Sequence, residues 1–305
     1  MPDPASAVAR AGAAGRRWQP LPLPEPLVGA YLRRLGLDPE AERRATPAPE
    51  RLCRLHAAHV ASVAYETLWI ALGESRGIAP AESARYVVCG RGGYCYQLNS
   101  AFSALLASLG YPVRWHRAGV QRRRDPAPPG ADGNHLTLTA RVDGRSWWLD
   151  VGLGDGPLEP APLATTTGPG FRLRRSDVVP GGWRLDHEPG GGFVGMDFTL
   201  GATGPAALLP RHVAQSGAAT SSFVRVVTVQ RRTPAGVAAL RGCVLTERPA
   251  ADSASVREVL RYAEWRALLA DGFGLVLDDV PADRLTAVWR RLRAAHAEWD
   301  RAGRP

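Results

Sequence analysis

The hydrophobic pattern of this chain changes period at one place. Before Gly110-Tyr111-Pro112 it is helical; after it, the pattern alternates with a period of two. Leu98, Phe102, Leu105, Leu106 and Leu109 recur at threes and fours and form one stripe of a helix over Tyr96 to Leu109. Gly110 followed by Pro112 supplies its stop. Downstream, Leu136, Leu138, Ala140 and Val142 alternate along a strand over His135 to Val142. Asp143-Gly144 is a two-residue hairpin turn, and Arg145 to Val151 is the return strand. A helical unit followed by hairpins predicts an α+β fold.

The helical pattern begins near Pro26, with Leu27, Tyr31 and Leu35 at spacing four, and continues through Leu52, Leu55, His59 and Val63. Val113 to Val120 reads as the first strand. Short strands broken by Gly and Pro continue to about Gly217, which suits a small barrel or a sandwich. Phe223 to Gln230 is strand-like and turns through Thr233-Pro234-Ala235-Gly236 into Val237 to Leu245. Two helices close the chain. One is expected over Ser255 to Leu269; the other starts at Pro281 and carries Leu285, Val288, Trp289, Leu292, Ala295 and Trp299 on one face. Met1 to Pro20 is rich in Ala, Pro and Arg and lacks the apolar centre of a signal peptide. Residues 1–25 are therefore expected to be a disordered leader. No run of about 18 apolar residues occurs, so a cytoplasmic location without a membrane span is expected.

The 305 residues carry a net charge of +9, and every basic residue is Arg, as a GC-rich genome would favour. The absence of Lys excludes a Schiff-base nucleophile, lysine-bound pyridoxal phosphate and a GxxxxGK[ST] phosphate loop. The arginines are scattered, and nucleic acid is not an expected partner. The one dense run, Arg122-Arg123-Arg124, abuts the Pro/Gly-rich stretch Asp125 to Gly133. It reads as a solvated loop or as a weak lure for an anionic substrate. Cys53, Cys89, Cys95 and Cys243 show neither a CxxC nor zinc-ligand spacing, so free thiols and no metal are expected.

Cys95 follows Arg91-Gly92-Gly93-Tyr94 and opens the helix. A helix N-terminus stabilises a thiolate, and its unpaired amides can serve an oxyanion. The two glycines allow a sharp turn and a close approach to substrate. Position alone is equally compatible with a buried structural cysteine. The hairpin separates the two readings. With Asp143-Gly144 as the turn, Val142 faces Arg145, Leu138 faces Leu149 and Thr137 faces Asp150. His135 then shares the face of Asp150 as its diagonal neighbour, within side-chain reach. The other face, with Leu136, Leu138, Ala140, Trp147, Leu149 and Val151, is the core, so His135 and Asp150 are aimed away from it. A His oriented by a carboxylate is the base a thiol nucleophile needs. His56 and His59 are expected to cover the core, and His116 lies within a strand. His187, His212 and His296 have no carboxylate placed by evident geometry.

Arg91-Gly92-Gly93-Tyr94-Cys95-Tyr96-Gln97-Leu98-Asn99 resembles the nucleophile motif of the arylamine N-acetyltransferases. Asn134-His135-Leu136 and Leu149-Asp150-Val151-Gly152-Leu153-Gly154 resemble that family's His and Asp motifs, in the same order. Ala64-Tyr65-Glu66-Thr67-Leu68 is similar to its early aromatic-Glu-Asn-Leu segment. The resemblance spans roughly Leu27 to Leu292 and implies three parts after the leader: a helical bundle over 26–112 carrying the nucleophile, a β-barrel over 113–217 carrying His and Asp, and an α/β lid over 218–305. It implies a Cys95-His135-Asp150 triad, acetyl-CoA as acyl donor with no metal or prosthetic group, and an aromatic amine or hydrazine as acceptor in ping-pong chemistry. An anion lure at Arg122-Arg123-Arg124 would then meet a coenzyme A phosphate. It also implies substrate contacts at Tyr65, Gly152, Leu153 and Gly154. Thr67 stands where the family usually has Asn, and Leu153 where it commonly has an aromatic ring lining the acceptor pocket; both bear on the acceptor. A branch of the family, the amide synthases, releases polyketide chains from an acyl carrier protein by macrolactam formation and is the alternative. A cysteine hydrolase is the alternative of another class, because the same triad serves water.

Overall fold

Proline sets where the first helices begin. In this computed structural model, which describes residues 18–250 and 253–304, α1 (Glu25–Arg34), α2 (Pro39–Arg44) and α3 (Pro49–Ser62) each carry Pro at the first or second helical position. There the missing N–H leaves no bond unmade. A two-residue strand β1 (Tyr65–Glu66) and the one-turn helix α4 (Leu68–Ala71) follow, then α5 (Pro80–Val88) and α6 (Cys95–Ser108). Every residue of α6 from Cys95 to Leu106 is buried. The single apolar stripe of the sequence understates this, because α1, α5 and the strands β2 and β3 all pack against α6.

The eight-stranded antiparallel sheet comprises β2 (Val113–Gln121), β3 (His135–Val142), β4 (Arg145–Leu149), β5 (Ala161–Pro162), β6 (Thr166–Gly168), β7 (Phe171–Arg175), β8 (Trp183–His187) and β9 (Gly195–Thr203). Its order is β5-β4-β3-β2-β9-β8-β7-β6. The two edge strands are joined only by residues 163–165. Such a link reaches about 14 Å, whereas a flat sheet of this size is roughly 33 Å wide. The sheet must therefore roll into a nearly closed barrel, not a sandwich. Trp148, Phe171, Trp183, Met196 and Phe198 fill its interior. The outer face of β3 and β4, through Leu136, Leu138, Ala140, Val142 and Leu149, packs in one cluster with Leu98, Phe102 and Leu105 of α6.

The hairpin register matches the expectation at Val142–Arg145 and Leu138–Leu149. The expected contrast of faces does not hold. Rolling the sheet covers the polar face as well, so Thr137 is fully buried, its hydroxyl accepting from Trp148 Nε1 at 2.8 Å.

Beyond the barrel, α7 (Pro205–Gly217) occupies a stretch expected to be strands. Gly204-Pro205 and Pro210 read as punctuation, yet Pro205 starts the helix and Pro210 is accommodated inside it. After α8 (Ser222–Arg225), the strands β10 (Thr228–Thr233), β11 (Gly236–Arg241), β12 (Val244–Pro249) and β13 (Ser255–Glu258) form a second sheet in the order β1-β10-β11-β12-β13. The expected helix from Ser255 is thus a strand first, held by β12 with Val256 opposite Thr246. Helix α9 (Tyr262–Ala267) then runs into a π-helical turn, Leu268–Gly272, and α10 (Ala282–Arg301) closes the chain. Residues 1–17 of the expected leader lie outside the described residues. Residues 18–25 are ordered: Trp18 sits 4.3 Å from Trp115, centroid to centroid, and Leu23 N donates to Ser108 Oγ at 2.8 Å.

The segment before Cys95 is held from below. Glu66 N donates to Gly93 O at 2.8 Å, and a Cβ on Gly92 would lie 1.9 Å from Ala64 O. The close approach that Gly92 permits is therefore to Ala64, just before β1. Beneath it Glu66, fully buried, pairs with Arg76 at 3.3 Å and Arg91 at 3.6 Å. Gly92→Ala should lower stability by about 1–3 kcal/mol, the range for overpacking a filled site, as read from the urea midpoint at unchanged slope.

Candidate active site

Three elements end at one point. Cys95 is the first residue of α6, His135 the first of β3, and Asp150 the first after β4. Extending the register beyond the last observed pair, Leu138–Leu149, places Asp150 diagonally across from His135. His135 Nε2 lies 2.8 Å from Asp150 Oδ2, and the Cys95 sulfur neighbours the ring, the thiol's own hydrogen bond running to Asn134 O at 3.9 Å. With Nε2 committed to Asp150, Nδ1 is the nitrogen left for the thiol. Burial works to lower the His135 pKa, but the Asp150 carboxylate and the Cys95 sulfur outweigh it and push the pKa up to about 10. The arrangement favours an imidazolium held against Asp150.

Asp150 is 1% exposed, and both of its oxygens are used. Oδ2 meets His135; Oδ1 accepts from Asn99 Nδ2 and from Gly152 N, both at 2.9 Å. Asn99 lies four residues beyond Cys95 on α6, hence one turn along the same face. Its Nδ2 also reaches Leu136 O at 2.6 Å, and its Oδ1 accepts from Val151 N at 3.0 Å. One side chain thus ties the helix of Cys95 to both arms of the hairpin. Its i+4 spacing from Cys95 is the sequence signal that could have marked it. Gly152 packs directly on the Cys95 backbone: a Cβ there would meet Cys95 Cα at 2.7 Å.

Cys95 and His135 open on a cavity of about 590 Å³. Tyr65, Gly152 and Leu153 line it; Gly154 does not, and borders a smaller crevice beside Val60 and Val63. Thr67 is also absent from the wall. Its hydroxyl accepts from Thr228 N at 2.9 Å, and its own N–H donates to Thr228 O, closing the joint between β1 and β10. Arg122, Arg123 and Arg124 line the cavity, opposed by Arg241 of β11. Burial, then the charge of Arg124, lowers the pKa of Arg241, which places these guanidiniums near one another. Helix α7, unexpected from sequence, contributes Arg211 and Gln215, whose Nε2 donates to Asn134 O at 3.0 Å.

The histidine assignments change in detail. His59 is buried as expected, with Nε2 2.8 Å from Tyr31 Oη, and His116 lies 2.7 Å from Thr139 Oγ1. His212 Nδ1 lies 2.6 Å from Tyr94 Oη. His187 and His296 do have carboxylates: Asp155 at 3.2 Å and Glu258 at 3.6 Å. Asp155, on the cavity wall, also receives Arg232 Nη2 at 2.9 Å, Gly192 N at 2.6 Å and the guanidinium of Arg248. Burial works to raise its pKa, yet His187 and Arg248 hold it well below the usual carboxylate range. Among the described residues, no group of three or more His, Cys, Asp or Glu could hold a metal ion, and no helix is long and apolar enough to cross a membrane.

The raised His135 pKa has a consequence for stability. Its charged form stabilises the fold fully below the unfolded value of 6.5, and this contribution is lost as pH rises through about 10. Urea denaturation between those limits should show falling stability in the wild type. Asp150→Asn should flatten the slope, and an unchanged slope would contradict the ion pair.

An N-acetyltransferase family model matches residues 50–281. The chain is 31% identical to the proansamycin X synthase of Amycolatopsis mediterranei over 156 residues, which is 48% of this chain and 57% of the synthase. The matched stretch thus spans little more than half of that relative. Identity to an arylamine N-acetyltransferase of Mycolicibacterium smegmatis is 33% over 211 residues, covering 58% of this chain and 74% of the enzyme. The structure of the Mycobacterium abscessus arylamine N-acetyltransferase superposes with a TM-score of 0.74 at 29% identity, covering 87% of this chain and 94% of that one. With the fold, the order of motifs and the family match in agreement, this chain belongs to the arylamine N-acetyltransferase family of acyltransferases.

Proposed function

We propose that this protein moves an acyl group from a coenzyme A thioester to an aromatic amine or hydrazine through a thioester on Cys95. The buried Cys95–His135–Asp150 relay opening on the cavity carries this reading. The Cys95 thiolate attacks the donor carbonyl, and a C–S bond to Cys95 forms. The C–S bond to coenzyme A breaks, and its sulfur takes the proton held on His135. The amine then attacks the acyl-Cys95 carbonyl, the Cys95 sulfur leaves, and His135 accepts the proton that the nitrogen loses. Asp150 keeps the ring oriented and stabilises its charged form. Amides at the start of α6 serve the oxyanion. Arg122, Arg124 and Arg241 at the cavity suit the phosphates of the donor. Tyr65, Gly152 and Leu153 are the wall residues for substrate. A cytoplasmic setting, where acetyl-CoA is available, belongs to the same reading.

A second reading is favoured by the match to the proansamycin X synthase: amide synthesis that takes the acyl chain from a carrier protein. In that case the acyl chain itself bears the aromatic amine, and the product is a macrolactam.

Incubation with acetyl-CoA should add one acetyl group to the intact mass of the wild type and none to Cys95→Ala, which should lose at least about 1,000-fold in turnover. Amine should accelerate release of coenzyme A. Release that is fast without amine and indifferent to it would make the enzyme a hydrolase. Cyclic product from a carrier-bound chain, with no transfer from acetyl-CoA, would select the second reading.

A further inference from the structure

We infer that His56 is a positioning residue for the Cys95 relay, acting as a neutral imidazole that fixes the backbone on both sides of the Asp150 loop. The inference rests on the acyl-transfer reading for its kinetic consequence, but its geometry stands apart from that reading.

Strand β4 ends at Leu149, so the next amides have no sheet partner. All are buried and must find acceptors elsewhere. Three consecutive N–H groups do so on side chains. Asp150 N donates to His56 Nε2 at 3.2 Å, Val151 N to Asn99 Oδ1 at 3.0 Å, and Gly152 N to Asp150 Oδ1 at 2.9 Å. His56, on α3, reaches the far end of the same loop as well, with Nδ1 2.7 Å from Leu158 O.

These partners fix the ring's proton. A backbone amide only donates and a carbonyl only accepts, so Nε2 is the lone-pair nitrogen and Nδ1 carries the hydrogen. An imidazolium would set Nε2–H against Asp150 N–H. The surroundings oppose that charge. The ring is fully buried, and Phe102 of α6 meets it nearly edge-on at 5.9 Å. Burial lowers its pKa against the opposing pull of the Leu158 carbonyl and Asp150. The titratable groups facing it are Asp150 and, on its own helix, His59. His59 is itself held neutral, its pKa lowered to about 3 by burial, then by His56 and Arg34.

The loop so held carries Asp150, Gly152 against Cys95, and Leu153 on the cavity wall. Leu at position 56 keeps apolar bulk but leaves the Asp150 amide buried and unpaired, so the carboxylate can shift against His135. Gln keeps one acceptor and one donor.

The test uses three proteins: wild type, His56→Gln and His56→Leu. In ¹⁵N-histidine spectra of the wild type, assigned by the signal missing from His56→Gln, His56 should remain the neutral Nδ1–H tautomer around neutral pH. His56→Leu should slow acylation of Cys95 by acetyl-CoA roughly 10- to 100-fold. It should also move the pH profile of Cys95 alkylation by iodoacetamide upward, which a loss of stability alone would not do. His56→Gln should stay within about threefold of wild type in rate and keep its profile. An Nε2–H tautomer or an imidazolium in the wild type overturns the inference whether or not the variants fold. So does a folded His56→Leu with an unmoved profile, or a Gln variant impaired as severely as Leu. Failure of the acyl-transfer reading would appear separately, as a wild type that takes no acyl group, while tautomer and alkylation profile still decide the role of His56.

Discussion

A carboxylate 1% exposed cannot hold its charge without partners, and the site is organised by how Asp150 obtains them. Burial of an unpaired carboxylate costs several kcal/mol, so each oxygen must be matched at the moment of folding. The partners come from different parts of the chain: His135 from the barrel, Asn99 from the bundle and Gly152 N from the loop itself. Satisfying one charge therefore fixes the bundle against the barrel. Cys95 shares its helix with Asn99, so the thiol is placed by the bond that places the carboxylate. The raised pKa of His135 follows from the same geometry.

Two other buried carboxylates repeat the device at neighbouring levels. Glu66 anchors the segment before Cys95 through Arg76 and Arg91. Asp155 gathers Arg232 of β10, Arg248 of β12 and His187 of β8, so the second sheet and the barrel meet on the loop that leaves the relay. Each acid joins segments distant in sequence, and removing one partner would leave a charge that water cannot reach. Guanidiniums on Asp155 brace the cavity wall directly, and those on Glu66 brace the segment next to Tyr65 of that wall.

The legible parts of the structure were those that carry their own register. Asp143-Gly144 fixes which residues of β3 and β4 face each other, so the approach of His135 to Asp150 could be counted out in advance. Helix α6 announced itself through its stripe and its Gly/Pro stop. Where no local register exists, the pattern misplaced elements or left contacts unmarked. Ser255–Glu258 has no periodicity of its own and is a strand because β12 offers an edge. Prolines in α7 masked a helix that tolerates them. His187 and Asp155 are 32 residues apart across Gly-rich turns, and His56 and Asp150 are 94 apart, so neither contact leaves a trace in spacing. Asn99 is the exception, visible at i+4 from Cys95 yet unassigned. The buried polar face of the hairpin was misjudged because alternation records which residues share a face, not whether barrel closure covers both.

The departures from the family pattern can now be separated by position. Thr67 keeps a side-chain acceptor where Asn is usual, and it spends that acceptor on Thr228 N in the joint between the sheets. It is fully buried and does not itself line the cavity; it reaches the wall only through its bonds to Thr228, at the point where β1 meets β10. Leu153 is different. It stands on the wall between Gly152, seated on Cys95, and Asp155, locked by its arginines. Gly152 and Asp155, on either side of it, are both tied to other parts of the fold. The change in side-chain volume is passed directly to the cavity, beside the sulfur that carries the acyl group in the proposed reaction. Of the two departures, only Leu153 stands on the cavity wall itself, whereas Thr67 acts on it at one remove, through Thr228.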